Sequence, residues 1–287
     1  MKETTLVTGA HGFTGRHLTG FLRRCTEREI IEAGRDSGDA AGSFDLADRK
    51  NVHDLLARIR PSRIFHCAGS FTNAWESDFR ANVESTRILL ETVRLLELRC
   101  RVLLIGSAAE YGNAPEGPVA ETAPLQPVSI YGMTKVMQTM LMEFFHRNFG
   151  MDIVMARTFN LFGTGCSPLL FPGRVAEQIE RVRQGVQGKI QVRSLAPRRD
   201  YLHVNDAVRA YARIMEHGQT GEVYNVGSGT PVEMNDLMQD LLRESGLTMN
   251  DVESSLCDDA AITNVPVIYA DIQKLSALAD WEQTTVG

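Results

Sequence analysis

The chain has 287 residues, 43% of them hydrophobic and 23% charged, with a formal net charge of -6 at pH 7. That apolar share supports a sizeable core and excludes wholesale disorder, and the acidic balance argues against a partner nucleic acid, which needs a basic face. No apolar run approaches the roughly 18 residues of a membrane helix, and the chain passes from Met1 into a glycine-rich turn with no signal-peptide apolar region, so the expectation is a soluble cytoplasmic protein with no membrane partner.

Short apolar runs alternate with helical periodicity, the pattern of βαβ units and a parallel sheet. In chain order the pattern predicts a strand at Thr4–Thr8, a helix at Gly12–Arg24, a strand at Glu29–Ala33, a helix at Asp48–Arg60 and a strand at Arg63–Cys67. It continues with a helix at Glu76–Leu98, a strand at Arg101–Gly106, a helix at Tyr131–Asn148, a strand at Asp152–Thr158 and a later one around Glu222–Val226. Gly163–Gly173 and Gly227–Pro231 are rich in glycine, proline and serine, as where a chain leaves its sheet. The expected fold is α/β: a doubly wound parallel sheet of the Rossmann type over 1–158 plus 202–226. A smaller C-terminal substrate-binding lobe is expected from 159–201 plus 227–287, with the ligand cleft between the two.

Gly9, Gly12 and Gly15 form Gly-x-x-Gly-x-x-Gly directly after the first strand and at the start of the first helix. Glycine permits the sharp turn, lets backbone approach a pyrophosphate, and leaves helix N–H groups aimed at that anion. There is no Gly-Lys-Ser/Thr, so the turn is not a triphosphate loop. The second strand bears on which dinucleotide binds. If it ends at Ala33, Arg35 stands where a guanidinium pairs with a ribose phosphate, which favours NADP(H); NAD(H) stays open if Glu32 or Asp36 takes the ribose hydroxyls, and the alternative for Arg35 is a solvated loop residue. Asp45 and Leu46 are read either as an adenine contact or as part of a helix-cap region.

Tyr131 and Lys135 stand four apart at the start of a long helix and so share one face. A nearby ammonium favours the phenolate and lowers a pKa otherwise near about 10, although the same pair also suits a plain helix surface. Ser107, at the end of the strand Arg101–Gly106, lies where parallel sheets bind ligands; there its hydroxyl serves either a carbonyl oxygen or local backbone groups. The five cysteines (Cys25, Cys67, Cys100, Cys166 and Cys257) never reach Cys-x-x-Cys spacing, and the seven histidines form no ligating pair, so no metal site is expected.

These pieces together resemble the extended short-chain dehydrogenase/reductase superfamily, in its nucleotide-sugar branch, over essentially the whole chain. The matching stretches are Thr8-Gly9-Ala10-His11-Gly12-Phe13-Thr14-Gly15, Phe65-His66-Cys67-Ala68-Gly69, Asn82, Ser107 before Tyr111-Gly112, and Tyr131-x-x-x-Lys135. They continue with Arg157–Gly163, Arg199–Asp206 and Tyr224–Gly229. The resemblance implies Ser107, Tyr131 and Lys135 as catalytic residues, with Lys135 also on the nicotinamide ribose. It implies cofactor contacts from Gly9, His11, Gly12, Phe13, Thr14, Gly15, Cys67, Ala68, Gly69 and Asn82, and substrate contacts from Ser107, Asn160, Arg174 and Arg199. Arg174 reads almost as well as a solvated helix residue.

Within that branch, 4,6-dehydratases carry a carboxylate two residues before the tyrosine of the Tyr-Gly pair; here Ala109 stands there, preceded by Ala108. The implied reaction is NADPH-dependent reduction of the 4-keto group of a nucleotide-linked 4-keto-6-deoxyhexose, with GDP-4-keto-6-deoxymannose the first candidate. Alternatives are a 4-epimerase holding NAD and, in another class, an NADP-sensing protein without catalysis. Relatives that reduce the mannose sugar carry an Arg-Pro-Ser-Glu-like stretch where this chain reads Ala260–Asn264 before Val265-Pro266, which bears on the base and the sugar. The stripe Met133, Val136, Met137, Met140, Leu141, Phe144 and Phe145 is either core or, as the resemblance implies, part of a homodimer interface.

Overall fold

The computed structural model describes residues 3–34, 44–114, 116–243, 245–254, 265–278, 281 and 283. Its elements in chain order are β1 (Thr4–Thr8), α1 (Phe13–Cys25), β2 (Glu29–Ala33), α2 (Arg49–Ile59), β3 (Arg63–His66), α3 (Trp75–Asp78), a π-helical turn (Phe79–Glu84), α4 (Ser85–Leu95) and β4 (Arg101–Ser107). Next come β5 (Pro118–Val119), α5 (Ile130–Phe149), β6 (Ile153–Thr158), β7 (Asn160–Phe162), α6 (Phe171–Arg183), β8 (Ile190–Val192), β9 (Arg198–His203) and α7 (Val204–His217). The last are β10 (Val223–Val226), β11 (Pro231–Glu233), α8 (Met234–Arg243), β12 (Val252–Ser254), β13 (Val267–Ala270) and α9 (Gln273–Ser276).

Six parallel strands form the central sheet in the order β10-β6-β4-β3-β1-β2. Side chains alternate across it because the strand period is two. Val7, Leu103, Val154 and Ala156 face one side, where Leu18 of α1 and Val208, Tyr211 and Ile214 of α7 cover them. Leu6, Val102, Leu104 and Met155 face the other, against Leu56, Leu89 and Met142 of α2, α4 and α5. Both faces are therefore buried, as a doubly wound sheet requires. The crossovers from β1 to β2 and from β2 to β3 run in opposite directions, so the sheet opens a crevice between β1 and β3 at the strands' C-terminal ends. A second sheet, β11-β9-β13-β5 with β7 beside β9, is assembled from later and interrupted segments.

The strands predicted from periodicity reproduce these positions to within a residue. The helix expected at Glu76–Leu98 runs without interruption from Trp75 to Leu95, but with a widened turn inside it. Hydroxyls compete with its backbone: Ser85 Oγ donates to Ala81 O, Thr86 Oγ1 to Asn82 O and Thr92 Oγ1 to Ile88 O, and the turn around Asn82 widens to π geometry. Its C-terminal end also comes early, with Glu97 in a left-handed conformation (φ 49°). α5 starts one residue ahead of its prediction because Ser129 caps it, accepting from Gly132 N–H at 3.0 Å, and Gly150 ends it with φ 62°.

Candidate active site

A cleft of about 680 Å³ lies over the C-terminal ends of the central strands. The glycine turn forms one end of it. Gly9 has φ 65° and donates its N–H to Ala33 O, and a Cβ on Gly9 would meet Ala68 N at 2.6 Å. A Cβ on Gly15 would meet Gly9 O at 2.1 Å, so α1 approaches the turn only because position 15 has no side chain. The first turn of α1 has no side-chain cap, which leaves backbone N–H groups directed at the cleft. A pyrophosphate fits this cradle of close backbone and helix N-terminus. Gly15→Ala is accordingly expected to abolish measurable NADPH binding in a fluorescence titration; retained affinity would show that the anion sits elsewhere.

Ser107 ends β4, and Tyr131 and Lys135 rise from the first turn and a half of α5 to meet it. Ser107 hydrogen-bonds the Tyr131 hydroxyl, which favours the phenolate. Burial outweighs that bond and pushes the Tyr131 pKa up to about 12. This differs from the expectation that the lysine pulls it down. Lys135 Nζ stands 5.9 Å from the Tyr131 ring centroid and donates to Ile105 O at 2.8 Å and Gln138 Oε1 at 3.0 Å. Burial lowers its own pKa to about 8. Phe71 packs edge-on against Tyr131, centroids 4.6 Å apart, and Asn73 Oδ1 accepts from Tyr131 N–H.

Beneath the floor lies a buried polar layer that sequence reasoning did not single out. Glu110, fully buried, accepts from Ser107 N–H at 2.8 Å, Thr139 Oγ1 at 2.6 Å and Arg157 Nε at 3.0 Å. Arg157 also donates to Tyr111 OH, which donates to Asn225 Oδ1. Ala108 and Ala109 face the cleft while Glu110 turns under it, and among the described residues no carboxylate lines the cleft. Its cationic lining groups are Lys135 and Arg199.

The structure brings Gly9, Gly12, Phe13, Thr14, Gly15, Cys67, Gly69, Ser107, Tyr131, Lys135, Asn160 and Arg199 together around this cleft. Arg174 does not join them: it is exposed on the first turn of α6. Asn82 is buried and braces the loop after β3, exchanging hydrogen bonds with Ser70 and donating to Thr134 Oγ1. Leu46 packs in the core beside α2, and Asp45 is paired with Arg80 at 2.6 Å. His11 lies 3.7 Å from Glu32, whose other oxygen pairs with Arg23 at 2.5 Å. Ala68 supplies backbone against Gly9. Arg35 and the stretch 260–264 lie outside the described residues.

The family model for "NAD dependent epimerase/dehydratase" matches residues 5–227. The chain belongs to this family. It is 30% identical to the GDP-6-deoxy-D-mannose reductase of Pseudomonas aeruginosa, over 83% of this chain and 79% of that protein. It is 31% identical to the dTDP-glucose 4,6-dehydratase of Streptomyces niveus, over 84% of this chain and 77% of the relative. Among solved structures, RMD from Pseudomonas aeruginosa complexed with NADPH superposes with a TM-score of 0.86 at 24% identity, covering 99% of this chain and 95% of that one. The chain is thus a family enzyme of the nucleotide-sugar type with a Rossmann-like sheet. No helix among its described residues is long and apolar enough to cross a membrane, and no cluster of His, Cys, Asp and Glu among them suits a metal ion.

Proposed function

We propose that the protein is an NADPH-dependent reductase of the 4-keto group of a nucleotide-linked 4-keto-6-deoxyhexose, with GDP-4-keto-6-deoxymannose the first candidate substrate. The observation that carries this reading is a cleft holding Ser107, Tyr131 and Lys135 with no lining carboxylate among the described residues. Eliminating water across C5–C6 needs further acid and base groups, and the methyl groups of Ala108 and Ala109 cannot move protons. Carbonyl reduction needs only a proton donor and a hydride.

When bound, NADPH supplies the hydride. Gly9, Gly12 and Gly15 would hold its pyrophosphate at the start of α1, and Phe13, Thr14, Cys67, Gly69 and Lys135 would border the rest. Tyr131 is protonated at neutral pH and donates its phenolic proton to the C4 oxygen; Ser107 Oγ donates a hydrogen bond to the same oxygen as charge develops there. Asn160 and Arg199 face the nucleotide diphosphate, where a guanidinium fork suits the anion. NADPH is preferred over NADH because Gly34 follows β2 where a ribose-binding acid would stand, and Glu32 is held by Arg23 and His11. In this reading the cofactor takes 1–158 plus 202–226, and the sugar is held by 159–201 plus 227–287.

The same reading includes a homodimer. Phe145 and Leu141 pack inward, while Met140 and Phe144 are 62% and 52% exposed on α5, and Leu95 of α4 is exposed as well. A two-fold axis would cover this stripe with its own copy, and a single monomeric species by sedimentation at micromolar concentration would remove the dimer.

The deciding assay follows NADPH oxidation on GDP-4-keto-6-deoxymannose generated in place by a dehydratase, with NADH alongside. Turnover preferring NADPH is expected. No turnover with either cofactor, from a protein that purifies with NAD bound, would overturn the reductase in favour of a 4-epimerase.

A further inference from the structure

Lys135 is held from below by a side chain with no part in the chemistry described so far. Gln138 lies one turn further along α5 and is fully buried. Its Oε1 accepts from Lys135 Nζ at 3.0 Å and its Nε2 donates to Thr86 Oγ1 at 2.8 Å. An ammonium has only donors, so the amide oxygen must face Lys135 and the NH₂ must face Thr86. Thr86 spends its own proton on Asn82 O at 2.7 Å. Its oxygen therefore accepts from both Gln138 and His66 Nε2, the latter at 3.1 Å. His66 is left with Nδ1 as an acceptor for the Thr8 hydroxyl, 2.8 Å away. Burial keeps this histidine neutral, with its pKa lowered to about 3, so the direction of every bond in the row is fixed.

We propose that Gln138 is a positioning residue for Lys135. Its amide fixes the ammonium beneath the cleft and ties it, through Thr86 and His66, to Thr8, the residue before the first glycine of the cofactor turn. Two of the three ammonium protons go to Ile105 O and Gln138 Oε1, which leaves one for a ligand in the cleft that Lys135 lines. Neither glutamate nor an apolar side chain reproduces this. Glutamate would strengthen the hold on the charged lysine and lose the donor to Thr86; methionine would keep the volume and lose both bonds. The inference rests on Lys135 being a cofactor-holding residue, and its test needs no sugar.

NADPH is titrated by fluorescence against the wild type, Gln138→Met and Gln138→Glu between pH 6 and 10, with NADH run in parallel. The groups facing Lys135 are Tyr131 on α5, Glu110 after β4, Cys67 and His66 at the end of β3, and Asp78 on α3. They are common to all three proteins, so differences between the curves report position 138. Affinity in the wild type is expected to fall above about pH 8, as Lys135 loses its proton. A hydrogen bond to the ammonium favours its charged form, so in Gln138→Met the break moves down by about one to two pH units, roughly a five- to fiftyfold loss of affinity at pH 8. In Gln138→Glu the break moves up. Opposite shifts in the two variants support the proposal, because a merely structural role moves both curves the same way. An unchanged break in both, or a shift of both in one direction, overturns it. If Gln138→Met fails to fold by circular dichroism, Gln138→Glu alone decides: an upward break supports the proposal and an unmoved one overturns it. Failure of the wild type to bind either cofactor overturns the proposal with the cofactor reading, whereas a protein that binds NADPH yet ignores the sugar overturns only the proposed substrate.

Discussion

Tyr131→Phe is expected to lower turnover about 10²- to 10⁴-fold while leaving NADPH affinity within a few-fold of the wild type. The variant removes one oxygen. The ring keeps its edge-on contact with Phe71, Asn73 keeps its bond to the backbone N–H, and Lys135 keeps its bonds to Ile105 O and Gln138. What disappears is the proton that the C4 oxygen must receive. Because burial holds the Tyr131 pKa near 12, the phenol is the resident form across the neutral range, and the group is set up to give a proton rather than to take one. That is the direction reduction needs. Steady-state turnover and a cofactor titration on the same preparation check both halves. A variant that keeps most of its turnover would show that Ser107 or solvent supplies the proton. Absence of turnover from wild type and variant alike, with NADPH affinity unchanged, would favour the reading of the fold as a non-catalytic NADP sensor.

The parts legible in the sequence were those written in local chemistry. The six strands of the central sheet are short apolar runs, and the glycine turn, Ser107 and the Tyr131–Lys135 pair all fall at strand ends or on a first helical turn, where position alone fixes their direction. Helix α7 was just as local. Val204, Ala207, Val208, Tyr211, Ile214 and Met215 recur at helical spacing and are all buried, yet the expected elements include no helix beyond Asn148, because glycine- and proline-rich flanks on either side carry the signature of loops. The buried layer under the cleft was not legible in the same way. Gln138 and Thr139 look like ordinary polar positions on an amphipathic helix. Gln138 shares a helix face with Lys135 at i,i+3, but only the packing of α5 against α4 and the end of β4 brings Gln138 to Thr86 and Thr139 to Glu110, and no spacing within one helix encodes those contacts. The widened turn inside the helix predicted at Glu76–Leu98 was equally hidden, and so was the buried Asp78 ahead of it, which accepts from Thr72 and Asn73 and holds the preceding loop against Tyr131.

Glu110→Ala is expected to cost about 3–5 kcal/mol of stability, because it leaves the Arg157 guanidinium buried without its counter-charge. Arg157 is 2% exposed and Glu110 fully buried, so water cannot take the place of the lost carboxylate. For a chain of this size that corresponds to a fall in melting temperature on the order of 10 °C. The consequences reach the site by a definite route. Glu110 accepts from Ser107 N–H at the end of β4, and a Cβ on Gly106 would come within 2.7 Å of its oxygen, so the carboxylate sets the backbone angle from which Ser107 reaches the cleft. Through Arg157 and Tyr111 the same group is joined to Asn225 on β10 and, by Asn225 Nδ2, to Val119 O on β5. The pair therefore links the sheet that carries the glycine turn to the second sheet, whose Arg199 and Ile268 line the cleft. Thermal unfolding of Glu110→Ala, Arg157→Met and the double variant measures how much of this is the pair itself. If the charge is the issue, the double variant should be less destabilised than the sum of the two singles, since it removes both buried charges together. Strict additivity, or a melting temperature for Glu110→Ala equal to that of the wild type, would mean that the layer beneath Ser107 is held by packing and its hydroxyls instead.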